Sequence, residues 1–281
     1  MGQRRRMAEV LFEQHRLEAV YFALSPVLAL YASGLCTGVS VELGHAQSHV
    51  MPVYQGVSLF HATHALDLGG VDLTEWIAAH HPGEVEAPTL RTHEAWGYLK
   101  EKYAFTPESR EAYAGDDANG LPTTHQLPDG SMVELGEEMS RAAELYFRPT
   151  TLPRLANPPD QFNVSEEVNL RTTTTPLGLH QLIAQSINDC DEDLSALFAS
   201  NIVLSGGASL LKNLPSRLEF EVQSLAPALP ERARVLADSE RGDAVFVGGS
   251  ILASLSTFQN LWVKRSEYEE IGSSAVVRGC F

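Results

Sequence analysis

The sequence predicts an α/β fold, and three observations carry that expectation. Short β-branched or aromatic runs alternate with helix-spaced apolar residues through residues 7–81 and again through 177–281. The last quarter repeats one design twice. Ile202–Ser205 stops at Gly206-Gly207, and Leu211, Leu214, Leu218, Val222 and Leu225 then recur at helical spacing. Val245-Phe246-Val247 likewise stops at Gly248-Gly249, followed by Ile251, Leu252, Leu255, Phe258, Leu261 and Trp262. Glycines at a strand–helix junction permit positive φ and let backbone N–H groups approach a phosphate or a sugar–base unit.

Taken in order, the first stretch offers strands at Val10-Leu11-Phe12 and Val20–Leu24 and a helix from Pro26 to Ala32. Val39–Leu43, Val50–Tyr54 and Asp72–His80 follow. Pro26 suits the first turn of its helix, where a missing N–H costs nothing. Residues 82–149 are polar and helix-rich, including Glu94–Tyr103, with Pro128-Asp129-Gly130 as a turn between two short strands. The Pro/Thr/Asn-rich residues 150–176 read as a long, partly disordered surface loop with little to bury. Near the end, Ser266-Glu267-Tyr268-Glu269 has capping-box spacing, and Gly272 is a natural stop.

Composition sets the outer limits. With 281 residues and 44% hydrophobic content the chain can build a substantial core. A formal net charge of −16 argues against a nucleic-acid binder, because no basic stripe offsets it. The three cysteines (Cys36, Cys190, Cys280) lie far apart without CxxC spacing, which suits a reducing compartment. The uncharged run from Ala19 to Val41, behind Arg4-Arg5-Arg6, is long enough to span a bilayer. Pro26, Gly34 and Gly38 instead divide it into strand- and helix-sized pieces, so buried core is expected there.

The text of the sequence goes further than its periodicity. Leu28–Gly38, Pro52–Gly56, His61-Ala62, Leu66-Asp67-Leu68 with Gly70 and Asp72–Thr74, Lys100-Glu101-Lys102, Leu127–Gly130, Leu204–Gly207, Gly248–Gln259, Trp262, Glu267-Tyr268 and Cys280-Phe281 closely resemble the actin family, in order and approximate spacing. Asn213–Leu218 and Val245–Val247 lean towards actin-related proteins. The resemblance implies the actin-like ATPase (ribonuclease H-like) fold: one complete βαβ-type domain, a helical small subdomain, and only part of the other domain. The expected divisions are a remnant of the first large subdomain (1–32 and 244–281), the second large subdomain on the purine and ribose side (33–68 and 172–243), and the small subdomain (69–171). The family's N-terminal third, with its first phosphate loop and phosphate-binding lysine, has no counterpart in residues 1–18.

Residue by residue, the resemblance implies a site for ATP or ADP with Mg, though an altered one. The second phosphate hairpin matches Glu42-Leu43-Gly44-His45-Ala46, where the family has Asp-Ser-Gly-Asp-Gly. Glu42 keeps a carboxylate and Gly44 is unchanged, while Ala46 replaces the family's glycine, where positive φ would be a strained choice for any residue with a Cβ. Ser25 replaces a water-ordering Gln, and His49 matches the water-ordering His. Glu42 and His49 are thus the candidate catalytic residues. Gly44, Gly70, Lys100, Glu101, Ser205, Gly206, Gly207 and Leu210 are the candidate nucleotide-binding set, and Gly242 replaces a Lys that packs over the base. His45 and His49 are four apart but not on a helix, so no metal site is expected from them.

The resemblance implies a cytoskeletal or structural actin-like protein acting through contacts with actin-family subunits or actin-binding proteins, with nucleotide binding weak or lost. It would work in the cytoplasm, with the nucleus as a second location. Three alternatives stand beside this: a truncated form of an ATP-binding filament subunit, an actin-related subunit of a multiprotein complex, and a divergent ATP hydrolase. Ser25 and His45 argue against the last.

Overall fold

The computed structural model describes residues 2–81, 90–108, 124–127, 130, 132–156, 177–225 and 232–276. The chain opens with helix α1 (Gly2–Glu9), which runs into a π-helical turn at Val10–Gln14, and continues through β1 (Ala19–Val20), α2 (Ser25–Ala32), β2 (Gly38–Leu43), β3 (Ser48–Tyr54), β4 (Val57–Ser58) and β5 (His64–Leu66). Then come α3 (Gly70–His80), α4 (Leu90–Tyr103), β6 (Thr124–Gln126), β7 (Met132–Glu134), α5 (Glu138–Arg141) and α6 (Pro153–Ala156). The last part holds α7 (Leu179–Asn188), α8 (Glu192–Ser200), β8 (Ile202–Ser205), α9 (Leu214–Leu225), β9 (Val235–Leu236), α10 (Ala244–Ser254), β10 (Val263–Lys264) and α11 (Arg265–Ile271).

The central sheet has the order β4-β3-β2-β8-β9, and β5 pairs with the same edge of β3 that carries β4. β2 and β3 form an antiparallel hairpin, whereas β2, β8 and β9 run parallel. Side chains alternate across this sheet as strand geometry requires. Val39, Val41, Leu43, Val50, Ile202 and Leu204 face the main core built with α3, α4, α7, α8 and α9. Met51, Val53 and Val203 face the other way, onto Val27 and Leu30 of α2. The fold is therefore mixed α/β, with the sheet sandwiched between helices.

A separate small core joins the two ends of the chain. Ala8 and Phe12 pack with Val263, Ala275 and Val276, and the Phe12 ring stacks on Tyr268 with centroids 4.6 Å apart. β1 and β10 pair antiparallel beside it. The apolar run after Ala19 is divided among β1, α2 and β2, and among the described residues no helix is long and apolar enough to cross a membrane.

Several local expectations are corrected. Val245-Phe246-Val247 is the start of α10, not a strand; its side chains belong to an apolar helix that packs along α2, and that contact outweighs the weak strand preference of a three-residue run. Val10-Leu11-Phe12 lies in the π-helical turn, where Phe12 faces the small core. Of the expected Val20–Leu24 strand only Val20 pairs, together with the preceding Ala19. The last helix is capped two residues earlier than the Ser266–Glu269 spacing suggests: the Lys264 N–H donates to Glu267 (2.9 Å), while Glu269 pairs with Arg265. Gly272 does end this helix, at φ 68°.

Of the stretch read as a loop, Pro149–Thr151 and Pro153–Ala156 are short helical turns, and Leu155 is buried; residues 157–176 lie outside the described residues. Pro128 and Asp129 lie outside them too, but Gly130 sits between β6 and β7 at φ 89°.

Candidate functional site

In an α/β sheet, ligand sites form beyond the carboxyl ends of parallel strands. Here β2 and β8 run parallel, with Glu42 in register with Ser205, and both end at the same rim. Three further elements converge there: the β2–β3 turn, the start of α3, and the Gly207–Leu210 turn after β8.

Gly206 makes the junction after β8 workable. Its φ is 88°, and a Cβ there would run into the Leu43 carbonyl of the neighbouring strand, so both conformation and space call for glycine. The turn that follows is tied from two sides. Ser209 donates through N–H and Oγ to the Gly206 carbonyl (3.1 and 2.6 Å). Arg241 donates through Nε and Nη2 to the Ser209 carbonyl (3.2 and 3.1 Å), while its own carbonyl accepts from the Gly206 N–H (3.0 Å). Burial lowers the Arg241 pKa, opposed by the charge of Asp238.

The start of α3 is joined to the β2–β3 turn. Gly70 N–H donates to the Gly44 carbonyl (2.9 Å), and Val71 N–H to the His45 carbonyl (2.8 Å). Asp72, buried, turns back to accept from the Gly69 N–H at 2.7 Å. Lys100 of α4 reaches over and donates to the Gly70 carbonyl (2.9 Å). Burial lowers the pKa of this ammonium, and the adjacent exposed Glu101 partly restores it. Gly44, Gly70, Lys100 and Ala208 thereby come together: from the Cα of Gly70, a built Cβ lies 3.4 Å from Lys100 Nζ, 3.5 Å from Ala208 Cβ and 3.7 Å from the Gly44 carbonyl.

Glu42 and His49 are directly opposed on β2 and β3, on the α2 side of the sheet. Ser25, at the start of α2, donates its hydroxyl to Glu42 Oε2 at 2.7 Å. His49 is lowered in pKa chiefly by burial, with the Glu42 charge opposing, so it favours the neutral imidazole. Ala46 does not carry positive φ, and the expected strain at that position is absent.

The structure thus gathers Gly44, Gly70, Lys100, Ser205, Gly206 and Gly207 around one rim, with Glu42 and His49 on the inner side. Glu101 points into solvent, and Leu210 is about half exposed beside Gly242. Ser205 is fully buried, and its Oγ has no partner among the described residues. An unpaired buried hydroxyl costs about 1–3 kcal/mol. Lys100 and the tied Gly206–Leu210 turn form the rim beside the start of α3, while the Ser205 side chain lies on the α2 face of the sheet with Glu42.

At the Glu42 end the carboxylate accepts from Ser25 through Oε2, and among the described residues no group of three metal-ligating side chains occurs. Sequence reasoning missed Arg241 and Asp72 as organisers of this rim. Asp72 had a legible signal, an acid three residues after Gly69 at a helix start.

A scan against protein-family models matches the family described as Actin over residues 1–89 and 87–281. That match covers both the rim and the elements that hold it, and the chain belongs to the actin family.

Proposed function

We propose that this actin-family chain is a cytoskeletal, structural protein that acts through protein contacts in the cytoplasm, its nucleotide site reduced to the base-and-ribose end. The observation that carries this reading is the Ser25–Glu42 hydrogen bond. The short hydroxyl at the start of α2 engages one oxygen of the Glu42 carboxylate, and it is too short to order an attacking water in the way a glutamine would. Phosphoryl transfer depends on such positioning and charge stabilisation, so hydrolysis of ATP is disfavoured.

A protein-contact role draws support from the surface around α10. Phe246 is 80% exposed, and Ile251, Leu255, Leu261 and Trp262 on α10 and the segment after it are exposed too, apolar side chains of the kind that partner proteins cover. Partners of this chemistry are other actin-family subunits or actin-binding proteins.

A thermal-shift titration with Mg-ATP tests the nucleotide part. Saturation at 100-fold the dissociation constant would add about 2.7 kcal/mol of stability. The expected outcome is no shift with Mg-ATP and no sedimenting filament at high protein concentration. A magnesium-dependent shift would overturn the reading. A second reading, ATP or ADP held by base and ribose without hydrolysis, is favoured by the Lys100–Gly70 contact beside the tied Gly206–Leu210 turn. It predicts a shift of equal size with and without magnesium.

A further inference from the structure

Among the described residues β9 is the terminal strand of the central sheet, with one of its edges paired. In the parallel β8–β9 ladder the Arg234 carbonyl accepts from Ile202 (3.1 Å), so Arg234 faces β8. By the alternation of strand hydrogen bonding, the N–H groups of Ala233 and Val235 point to the outer edge. A row of outward N–H groups left without partners templates pairing with another chain.

Both outward N–H groups are nevertheless satisfied, and by side chains. Ala233 N–H donates to Gln223 Oε1 at 2.6 Å, and Val235 N–H donates to Glu219 Oε2 at 3.0 Å. The fit is geometric. Glu219 and Gln223 are one turn apart on α9, a rise of about 6 Å, close to the roughly 6.6 Å between alternate residues of a strand. Two side-chain oxygens therefore sit where the carbonyls of an added strand would go. Beyond them lies open space: a groove of about 380 Å³ lined by Glu219, Gln223, Phe220, Arg232 and Val235 among others. Phe220 is 57% exposed on its wall, so an unguarded edge here would offer both backbone pairing and an apolar contact.

We propose that Glu219 and Gln223 form a side-chain guard on β9 that keeps this sheet edge from pairing, and that without the guard two copies of the chain join through β9. Each copy would bring the same edge, the isologous contact that a two-fold dimer requires.

The test compares the full chain with Glu219→Ala/Gln223→Ala by sedimentation across micromolar concentrations, with far-UV circular dichroism to establish folding. The double variant is expected to show a concentration-dependent dimer beyond any self-association of the wild type. Adding Val235→Pro, which removes one edge N–H, should reverse that gain. Sedimentation identical to the wild type would overturn the proposal, as would a dimer indifferent to Val235→Pro.

Amide hydrogen exchange on single variants keeps the question open to refutation even if the double variant fails to fold. Glu219→Ala should speed exchange at Val235 by roughly fivefold, the loss of one net hydrogen bond, and leave Ala233 unchanged. Glu219→Gln, which retains an acceptor oxygen, should preserve protection at Val235. Equal exchange at Val235 in the wild type and Glu219→Ala would show that no guard exists.

Discussion

Gly248 of α10 rests directly against the backbone of Leu28 in α2, so closely that a Cβ on Gly248 would overlap the Leu28 carbonyl. The adjacent Gly249 faces only the Leu28 side chain, where an added Cβ would sit at an ordinary 3.7 Å from Cδ1. The two glycines therefore have different reasons to be there. One sets the spacing of two helices, and the other does not.

Alanine at each position separates these roles. Gly248→Ala must push α10 away from α2, an overpacking cost of about 1–3 kcal/mol or more. Gly249→Ala meets no such obstacle and gains helix propensity, up to roughly 1 kcal/mol. Urea denaturation should place the two variants on opposite sides of the wild type. Equal loss from both would mean that helix spacing is not set at Gly248.

The same pair shows how far sequence reasoning reaches. The Gly206-Gly207 junction was legible because a buried β-branched run, a glycine with positive φ and a later helix all lie within one continuous segment. Gly248-Gly249 has the same local text but a different structure, because α2, more than 200 residues away in sequence, supplies the surface that makes it helical. Glu42 and His49 were legible as a pair through their matching positions in the family, and the hairpin sets them opposite one another. The donors of Arg241 were not legible. They depend on the path of residues 232–244 past the Gly207–Leu210 turn, which no local pattern encodes.

The cysteines should differ sharply in reactivity. Burial, with smaller contributions from the Asp189 and Asp191 charges, pushes the Cys190 thiol up to about 11, and its Sγ donates to the Ser186 carbonyl. Cys36 is exposed. Iodoacetamide at mildly alkaline pH should alkylate Cys36 in the native protein and leave Cys190 unmodified until denaturant is added, as peptide mass spectrometry would show. Rapid native labelling of Cys190 would contradict its buried placement at the C-terminal end of α7.

His49 gives the candidate site a pH signature. Its folded-state pKa lies below the ordinary 6.5, with burial as the main cause. The unfolded chain therefore binds the proton more readily, and the stability linked to His49 is complete above pH 6.5 and declines as pH falls through the folded-state value. Glu42 opposes this shift, so Glu42→Gln should lower the His49 midpoint further in an NMR titration. His49→Asn should flatten the corresponding part of the stability–pH curve. A Glu42→Gln titration that moves upwards would mean the two groups do not face each other.

Arg217 is a buried charge held by several partners. It is 1% exposed, donates through Nη1 and Nη2 to the Glu144 carboxylate (2.7 and 3.4 Å), and also binds Glu221 and the Pro107 carbonyl. Its guanidinium stacks 4.7 Å from the Phe147 ring centroid. Arg217→Met should cost about 3–5 kcal/mol, since Glu144 would remain buried without its partner. Lysine is no substitute, because one ammonium cannot reproduce the planar set of donors. If the cost comes from the stranded carboxylate, Arg217→Met/Glu144→Met should be more stable than Arg217→Met alone. If it comes from the lost stack on Phe147, the second substitution restores nothing. Denaturation of the two single variants and the double variant closes the cycle, and partial recovery in the double variant is the expected result.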